Sequence, residues 1–170
     1  MASFVGHFAA GFTIAKILDK KASIALIVLS LISSWLPDID VLGFHFGIAY
    51  GDFWGHRGFT HSILFALIWA TLVCFFFKST ARPLVWLILF LSTISHGVLD
   101  AMTSGGMGIA FFSPLDDSRY FLPWRPIKVS PLSAASFLGE SGKRVVLSEL
   151  KWVVLPCLVL LLSSWILGKK

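Results

Sequence analysis

Charged side chains are what this sequence has least of. Only 14% of its 170 residues are Asp, Glu, Lys or Arg, against about 25% in an ordinary soluble domain. The 56% hydrophobic content and the mean hydropathy of +0.84 agree. The apolar runs are too long and too numerous for one water-soluble core, so lipid is the solvent that the composition implies. A Lys/Arg block is missing too, despite a formal net charge of +5: the basic residues sit at the ends of apolar runs or in one long polar stretch. That argues against a nucleic-acid partner. Cysteine is scarce, and Cys74 and Cys157 lie inside apolar runs without a CxxC partner. They read as buried free thiols rather than a disulfide or metal ligands. The opening stretch MASFVGHFAAGFTIAK lacks the basic n-region of a signal peptide, and no lipobox or prenylation motif offers another anchor.

What is present is a series of apolar segments: Phe4 to Leu18, Ala22 to Leu36, His61 to Phe77, Pro83 to Asp100 and Leu150 to Leu167. Their length and lack of alternation predict helices. At 1.5 Å per residue the last three reach roughly 26–28 Å and the first two roughly 21–23 Å, against a hydrocarbon core of about 30 Å. The expected fold is all-α, a multi-pass transmembrane bundle of four to five helices. It forms a single integral membrane domain over residues 1–170, with an outer loop over 101–149. Pro114, Pro123, Pro126 and Pro131 argue against a long regular helix through the middle of that loop.

Basic residues near helix ends set orientation. Lys16, Lys20, Lys21, Lys78, Arg82, Lys169 and Lys170 gather on one side, with Asp19 as its acid. That side is assigned to the cytoplasm, which puts the N-terminus outside. The loop also carries Arg119, Arg125, Lys128, Lys143 and Arg144, which weakens the asymmetry. Trp35, Trp54, Trp124 and Trp152 read as an interfacial belt, His45 as interfacial and Asp52 as solvated.

On this topology the histidines and aspartates converge. His7 opens the first helix, Asp38 and Asp40 follow the second, His56 and His61 precede the third, and His96 and Asp100 end the fourth. Antiparallel helices bring all of them to one level. An ionised Asp at membrane depth costs on the order of 3 kcal/mol or more. A divalent cation compensates that cost, because carboxylate and neutral imidazole are its natural ligands. His96 and Asp100, four apart in SHGVLD, share one helix face. They can chelate one ion, or the Asp can orient the imidazole. In HRGFTHS, Gly58 permits a turn and Thr60 suits the N-cap of the third helix. Arg57 then stands beside the site, where a guanidinium suits a phosphate; the competing reading is an interfacial snorkelling residue. LPDID breaks the second helix and offers Asp38 and Asp40 on an extended segment, one as ligand and the other as an orienting or bridging group. Arg119, Arg125 and Lys128 flank YFLPW and suit a lid over an anionic headgroup, or an ordinary solvated loop.

His7, LPDID, HRGFTHS and SHGVLD together resemble the LexA-regulated, membrane-bound metal-dependent hydrolase family, in its YbcI/YdjM-type bacterial inner-membrane branch. The resemblance extends through FGIAYGDFWGHRGFTHS, TSGGMG and PWRPIKVSPL. It implies an integral protein of the bacterial inner membrane and a metal-dependent hydrolase. The order of His and Asp is also similar to the zinc-dependent phospholipase C and P1-type nuclease group. On that analogy His7, Asp38 or Asp40, His61, His96 and Asp100 are ligands. An N-terminal Trp and a histidine after His96 are both missing, which favours one or two metals over three.

The functional expectation is a membrane-embedded phosphoesterase acting on a lipid or lipid-linked headgroup near the extracytoplasmic face. His7, Asp40, His61, His96 and Asp100 hold one or two divalent ions, zinc first and manganese or magnesium next. Asp38 or His56 accepts a proton from water, and Arg57 stabilises phosphoryl charge. The alternative from another class is a non-enzymatic protein that binds, senses or transports a divalent metal. It requires a polar path into the inner halves of the third and fourth helices, which are almost wholly apolar.

Overall fold

The computed structural model describes residues 1–76, 82–131 and 133–168. Helix α1 (Phe4–Leu18) starts at Ser3, whose hydroxyl accepts the Val5 N–H at 3.2 Å, and α2 (Ile24–Trp35) starts at Ser23, which caps Leu26 at 3.2 Å. Both are serine N-caps that satisfy an otherwise orphaned donor. Helix α3 (Ile63–Phe76) starts at Ser62, whose hydroxyl accepts the Phe65 N–H at 3.0 Å. Thr60, expected to be that cap, is instead turned into the polar cluster described below. Helix α4 (Arg82–Ala101) carries Pro83 in its first turn, where the missing N–H costs nothing.

Two expectations about segment boundaries are corrected. The chain does not become extended at Pro37. It continues as a 3₁₀ helix, Leu36–Phe46, that stops at Gly47 with φ 77°. Proline at the first position of a helix already has the helical φ, so it tightens the coil without ending it. Asp38 and Asp40 therefore sit on a tight helix. The polar loop is also shorter than 101–149. After a short helix, α5 (Ala134–Phe137), α6 (Glu140–Glu149) is already regular, with Gly142, Val145 and Glu149 on its buried face. It passes through a π-helical turn, Leu150–Val154, into α7 (Leu155–Leu167). Pro156 lacks the N–H that the Trp152 carbonyl would accept, and a widened turn there absorbs the loss.

These extensions change which segments are long enough to span. Ile24–Phe46, Arg82–Ala101 and Glu140–Leu167 qualify by length and hydropathy, while Phe4–Leu18 and Ile63–Phe76 are shorter apolar helices. Lys78, Lys169, Lys170 and Phe77, used above for orientation and for the third segment, lie outside the described residues. Among the described residues there is no strand, only isolated bridges pairing Thr103 with Ile127 and Ile109 with Tyr120 in the loop.

The bundle is organised on α4, which packs against α1, α2 and α3, while α1 also packs on α2 and α7. The buried stripe of α4 changes character along its length. Val85, Ile88 and Leu89 come first, then Ser92 and Thr93, then His96 and Asp100. That three-and-four spacing puts all of them on one helix face. The apolar end joins Ala15, Leu26, Ala70 and Cys74 in a core. In the hydroxyl layer, Ser30 donates to the Gly11 carbonyl at 2.8 Å and meets the Ser92 hydroxyl at 2.7 Å. Gly11 is required there: a Cβ would come within 2.7 Å of Ser34 Oγ and 3.0 Å of the Ser30 carbonyl. Cys74 is buried and Cys157 half-buried, both as free thiols.

Candidate metal centre

The polar end of the bundle collects side chains from five places. The first turn of α1 supplies His7, the 3₁₀ helix supplies Asp38 and Asp40, and the last two turns of α4 supply His96 and Asp100. A second 3₁₀ turn, Phe59–His61, supplies His61, and the loop just before it supplies His56 and Arg57. All eight are buried, and the most exposed, Asp40, shows only 7% of its surface.

The hydrogen bonds fix how the imidazoles face. His96 Nδ1 lies 2.9 Å from the Ser34 carbonyl, which can only accept, so Nδ1 carries the proton and Nε2 a lone pair. His61 Nδ1 lies 3.1 Å from Asp40 Oδ2 and 3.1 Å from the Thr60 hydroxyl, which itself donates to Asp40 at 2.8 Å. The same reasoning puts the proton of the neutral His61 ring on Nδ1 and makes Nε2 its lone pair. The two Nε2 atoms are 3.0 Å apart. Asp38 Oδ1 stands 3.3 Å from His96 Nε2 and 3.8 Å from His61 Nε2, and neither oxygen of Asp38 has a hydrogen-bond partner. His7 stacks on His96 with ring centroids 3.8 Å apart, and its Nε2 is 3.5 Å from Asp100 Oδ1. Neither of its ring nitrogens is hydrogen-bonded.

Two overlapping groups could therefore hold a metal ion: Asp38, His61, His96 and Asp100, and Asp40, His56 and His61, the ligand atoms of each lying within 4.8 Å of one another. Asp38 and Asp40 are not equivalent. Both oxygens of Asp40 are occupied: Oδ1 faces His56 Nδ1 at 2.8 Å, and Oδ2 accepts from the Arg57 N–H at 3.0 Å and from Thr60. Asp38, by contrast, is left with two bare oxygens in a closed site.

A buried carboxylate without a partner is costly, and the donor set answers which partner fits. One proton shared between the two Nε2 atoms satisfies those nitrogens but leaves Asp38 and His7 unpaired. A divalent ion is compatible with carboxylate and neutral imidazole together, and it turns two opposed lone pairs into ligands. The surroundings of each imidazole differ in sign. Burial pulls the His61 pKa down, but the carboxylates of Asp38 and Asp40 beside it more than reverse this and raise it to about 9, so that without a metal Nε2 also holds a proton at neutral pH, the one a bound ion would displace. At His56 burial prevails over Asp40 and the pKa is lowered. Its Nε2 is buried without a partner.

Arg57 is fully buried, which overturns the snorkelling alternative. It has φ 69°, so the left-handed residue of this turn is Arg57 itself, while Gly58, expected to permit a turn, has φ -84°. Its Nε donates to Asp100 Oδ2 at 3.1 Å, Nη1 to the Gly105 carbonyl at 2.8 Å and Nη2 to the Thr103 hydroxyl at 2.9 Å. Gly106, with φ 90°, lies so close that a Cβ there would collide with the guanidinium. The TSGG segment is thus a cradle for this side chain. The loop is further pinned by Arg119, which donates to the His56 carbonyl at 2.8 Å and, at 3.2 Å each, to the carbonyls of Tyr50 and Asp52. Arg125 lies 4.5 Å from the Phe121 ring centroid, and the Lys128 N–H is held by Ser148 Oγ at 2.9 Å. His45 and Asp52 are exposed and outside the cluster.

Several contributors escaped the sequence reading. The Ala2 N–H donates to Asp100 Oδ1 at 2.5 Å, and the Ser3 hydroxyl and N–H both donate to the buried Glu149. Backbone groups leave no mark in composition. Glu149 does leave one, since an acid entering an apolar membrane helix is costly unless partnered.

A bundle of apolar helices that closes on a carboxylate–imidazole cluster at one end defines an integral membrane protein with a site able to hold a metal ion. The sequence pattern of the YdjM inner membrane protein family matches residues 1–169, and the chain belongs to that family. It is 40% identical over 154 residues to "Inner membrane protein YbcI" of Escherichia coli (strain K12), covering 89% of this chain and 87% of that protein. No solved structure matches.

Proposed function

We propose that the protein is a metal-dependent hydrolase of a phosphoester in a lipid or lipid-linked headgroup, with its site at the extracytoplasmic face. The observation that carries this reading is the pair of Asp38 oxygens without a hydrogen bond beside two imidazole Nε2 atoms that the protein itself turns toward each other. Asp38, His61, His96 and Asp100 hold the first ion, with His7 in reach through Asp100. Asp40 orients His61 and His56, so Asp38 takes the ligand role expected of Asp40, and His56 is left as the proton acceptor. Zinc matches the mixture of imidazole and carboxylate donors best. When bound, such an ion supplies Lewis acidity and a nucleophilic water at neutral pH.

The remaining steps fall to the protein. His56 donates Nδ1–H to Asp40, which leaves Nε2 as a proton acceptor, and its lowered pKa keeps it neutral near pH 7. Arg57 is held by three protein partners and keeps two further N–H groups, the donors that would meet a phosphoryl oxygen admitted to the site. A groove of about 380 Å³ lined by Met1, Ser3, Phe4, Trp35, Ser130 and Phe137 lies against the N-terminal end of α1. Its apolar walls suit an acyl chain beside the site. The buried Val85, Ile88 and Leu89 interrupt any polar path to the other face, which weighs against transport.

The test is metal analysis of protein extracted in mild detergent, followed by release of phosphate or headgroup from vesicles holding phosphatidic acid or phosphatidylglycerol. Stoichiometric zinc and turnover that disappears in His61→Ala and Asp100→Ala support the proposal. Protein without stoichiometric metal after gentle extraction defeats it.

A further inference from the structure

The end of the bundle opposite the cluster carries a second feature that the hydrolase reading does not use. Helix α7 has no buried residue, so it meets lipid over most of its surface. Between α7 and α1 runs a groove of about 330 Å³ lined by Phe12, Lys16, Lys20, Leu161, Ser164 and Trp165. Its length is apolar, with Phe12 and Trp165 exposed, and its end is basic. Lys16 Nζ donates to the Lys20 carbonyl at 2.8 Å, and Lys20 Nζ donates to the Ser164 carbonyl at 2.8 Å. These bonds fix where the two ammonium groups stand.

Each ammonium has three donors and spends one of them on its backbone carbonyl. Among the described residues neither lysine is in an ion pair; the lysine pair found there is Lys143 with Glu140. Asp19, the acid at this end, turns Oδ1 to the Lys21 N–H at 2.9 Å. Two positive charges thus sit at the mouth of an apolar groove on a lipid-facing surface. We infer that this groove binds one anionic phospholipid, with its phosphodiester between Lys16 and Lys20 and an acyl chain along Phe12, Leu161 and Trp165. A basic pocket between membrane helices at the level of the headgroups has the chemistry to select such a lipid. A zwitterionic lipid fills the same apolar wall but brings its own cation to the lysines. A soluble phosphate satisfies the lysines but gains nothing from the wall.

The experiment uses the full chain in nanodiscs doped with phosphatidylglycerol or phosphatidylcholine brominated on the acyl chain. Quenching of tryptophan fluorescence is read in the wild type and in Trp165→Phe, and the difference isolates Trp165. The expected result is half-maximal quenching of that component by the anionic lipid at a several-fold lower mole fraction. In Lys16→Gln/Lys20→Gln the two lipids should become equal, with metal content unchanged because the cluster lies at the other end. Should that variant fail to fold, salt decides: raising it from about 0.05 to about 0.5 M shortens the screening length severalfold and should erode the preference. Equal quenching by both lipids in the wild type overturns the inference. So does a preference that survives loss of both lysines, is indifferent to salt, or is abolished by millimolar inorganic phosphate.

Discussion

The two halves of α4 are built on one backbone and held by different physics. Toward its start, Val85, Ile88 and Leu89 pack against Ala15, Leu26, Ala70 and Cys74. Such contacts are non-directional, and any side chain of similar volume preserves most of them. Toward its end, His96 and Asp100 occupy the same stripe, but each of their atoms faces a particular partner at a particular distance. Shape suffices in the first half. In the second, the identity of every polar atom matters, because an unpaired one in this setting is heavily penalised. The serines and threonines of the middle layer mediate between the two by bonding to backbone carbonyls, as Ser92 does to Ile88 at 2.7 Å and Thr93 to Leu89 at 2.9 Å.

The sharpest way to break this contrast is a pair of substitutions. Asp38→Asn should abolish stoichiometric metal, lowering affinity by at least about 100-fold, while leaving the helical circular dichroism intact. Leu89→Ala should do the reverse: a loss of about 2–5 kcal/mol of stability, with metal affinity unaltered in a chelator competition. If Leu89→Ala released the metal as well, the two halves would not be independent.

The next effect is one of pH. In the metal-free protein His61 has a pKa of about 9, above its ordinary 6.5. The stability contributed by its proton is therefore complete below about pH 6.5 and is lost as pH rises through about 9. Metal-free protein should show a falling Tm across that window, and zinc-loaded protein should not, because a ligating imidazole is already neutral and has no second proton to lose. A flat Tm in the metal-free state counts against a His61 ring held between the charges of the two aspartates.

Asp40→Asn should be milder than Asp38→Asn, at about 10–100-fold in metal affinity, since it removes the orientation of His61 rather than a ligand. Equal losses in the two variants would mean that both carboxylates touch the ion. Smallest of all, Ser92→Ala removes one hydroxyl from the middle layer and should cost about 1 kcal/mol in thermal or denaturant unfolding without changing metal content.

How much of this was legible in the chain differs between the two halves as well. The apolar stripe and the helical segments follow from hydropathy and a period of 3.6 residues, so the all-helical bundle could be expected from the sequence. Convergence of His7, Asp38, Asp40, His56, His61, His96 and Asp100 at one level also followed, because alternating helix direction is enough to place helix ends together. Boundaries were less accessible. Pro37 has the look of a break in the sequence, although its fixed φ suits a tight helix, and the polar residues of Glu140–Glu149 conceal a helix whose buried side is carried by Gly142, Val145 and Glu149.

What the sequence determined by itself is the solvent and the inventory: a chain this apolar must fold in lipid as helices, and the few ionisable groups it spends inside must meet one another. Which atom faces which was decided only by the tertiary structure. Asp38 and Asp40 are two residues apart and chemically identical, yet the Arg57 and Thr60 donors and the His56 ring occupy Asp40 and leave Asp38 bare. That difference arises because hydrogen bonds depend on angles and distances of a few tenths of an ångström, set by how five segments pack and not by spacing along any one of them.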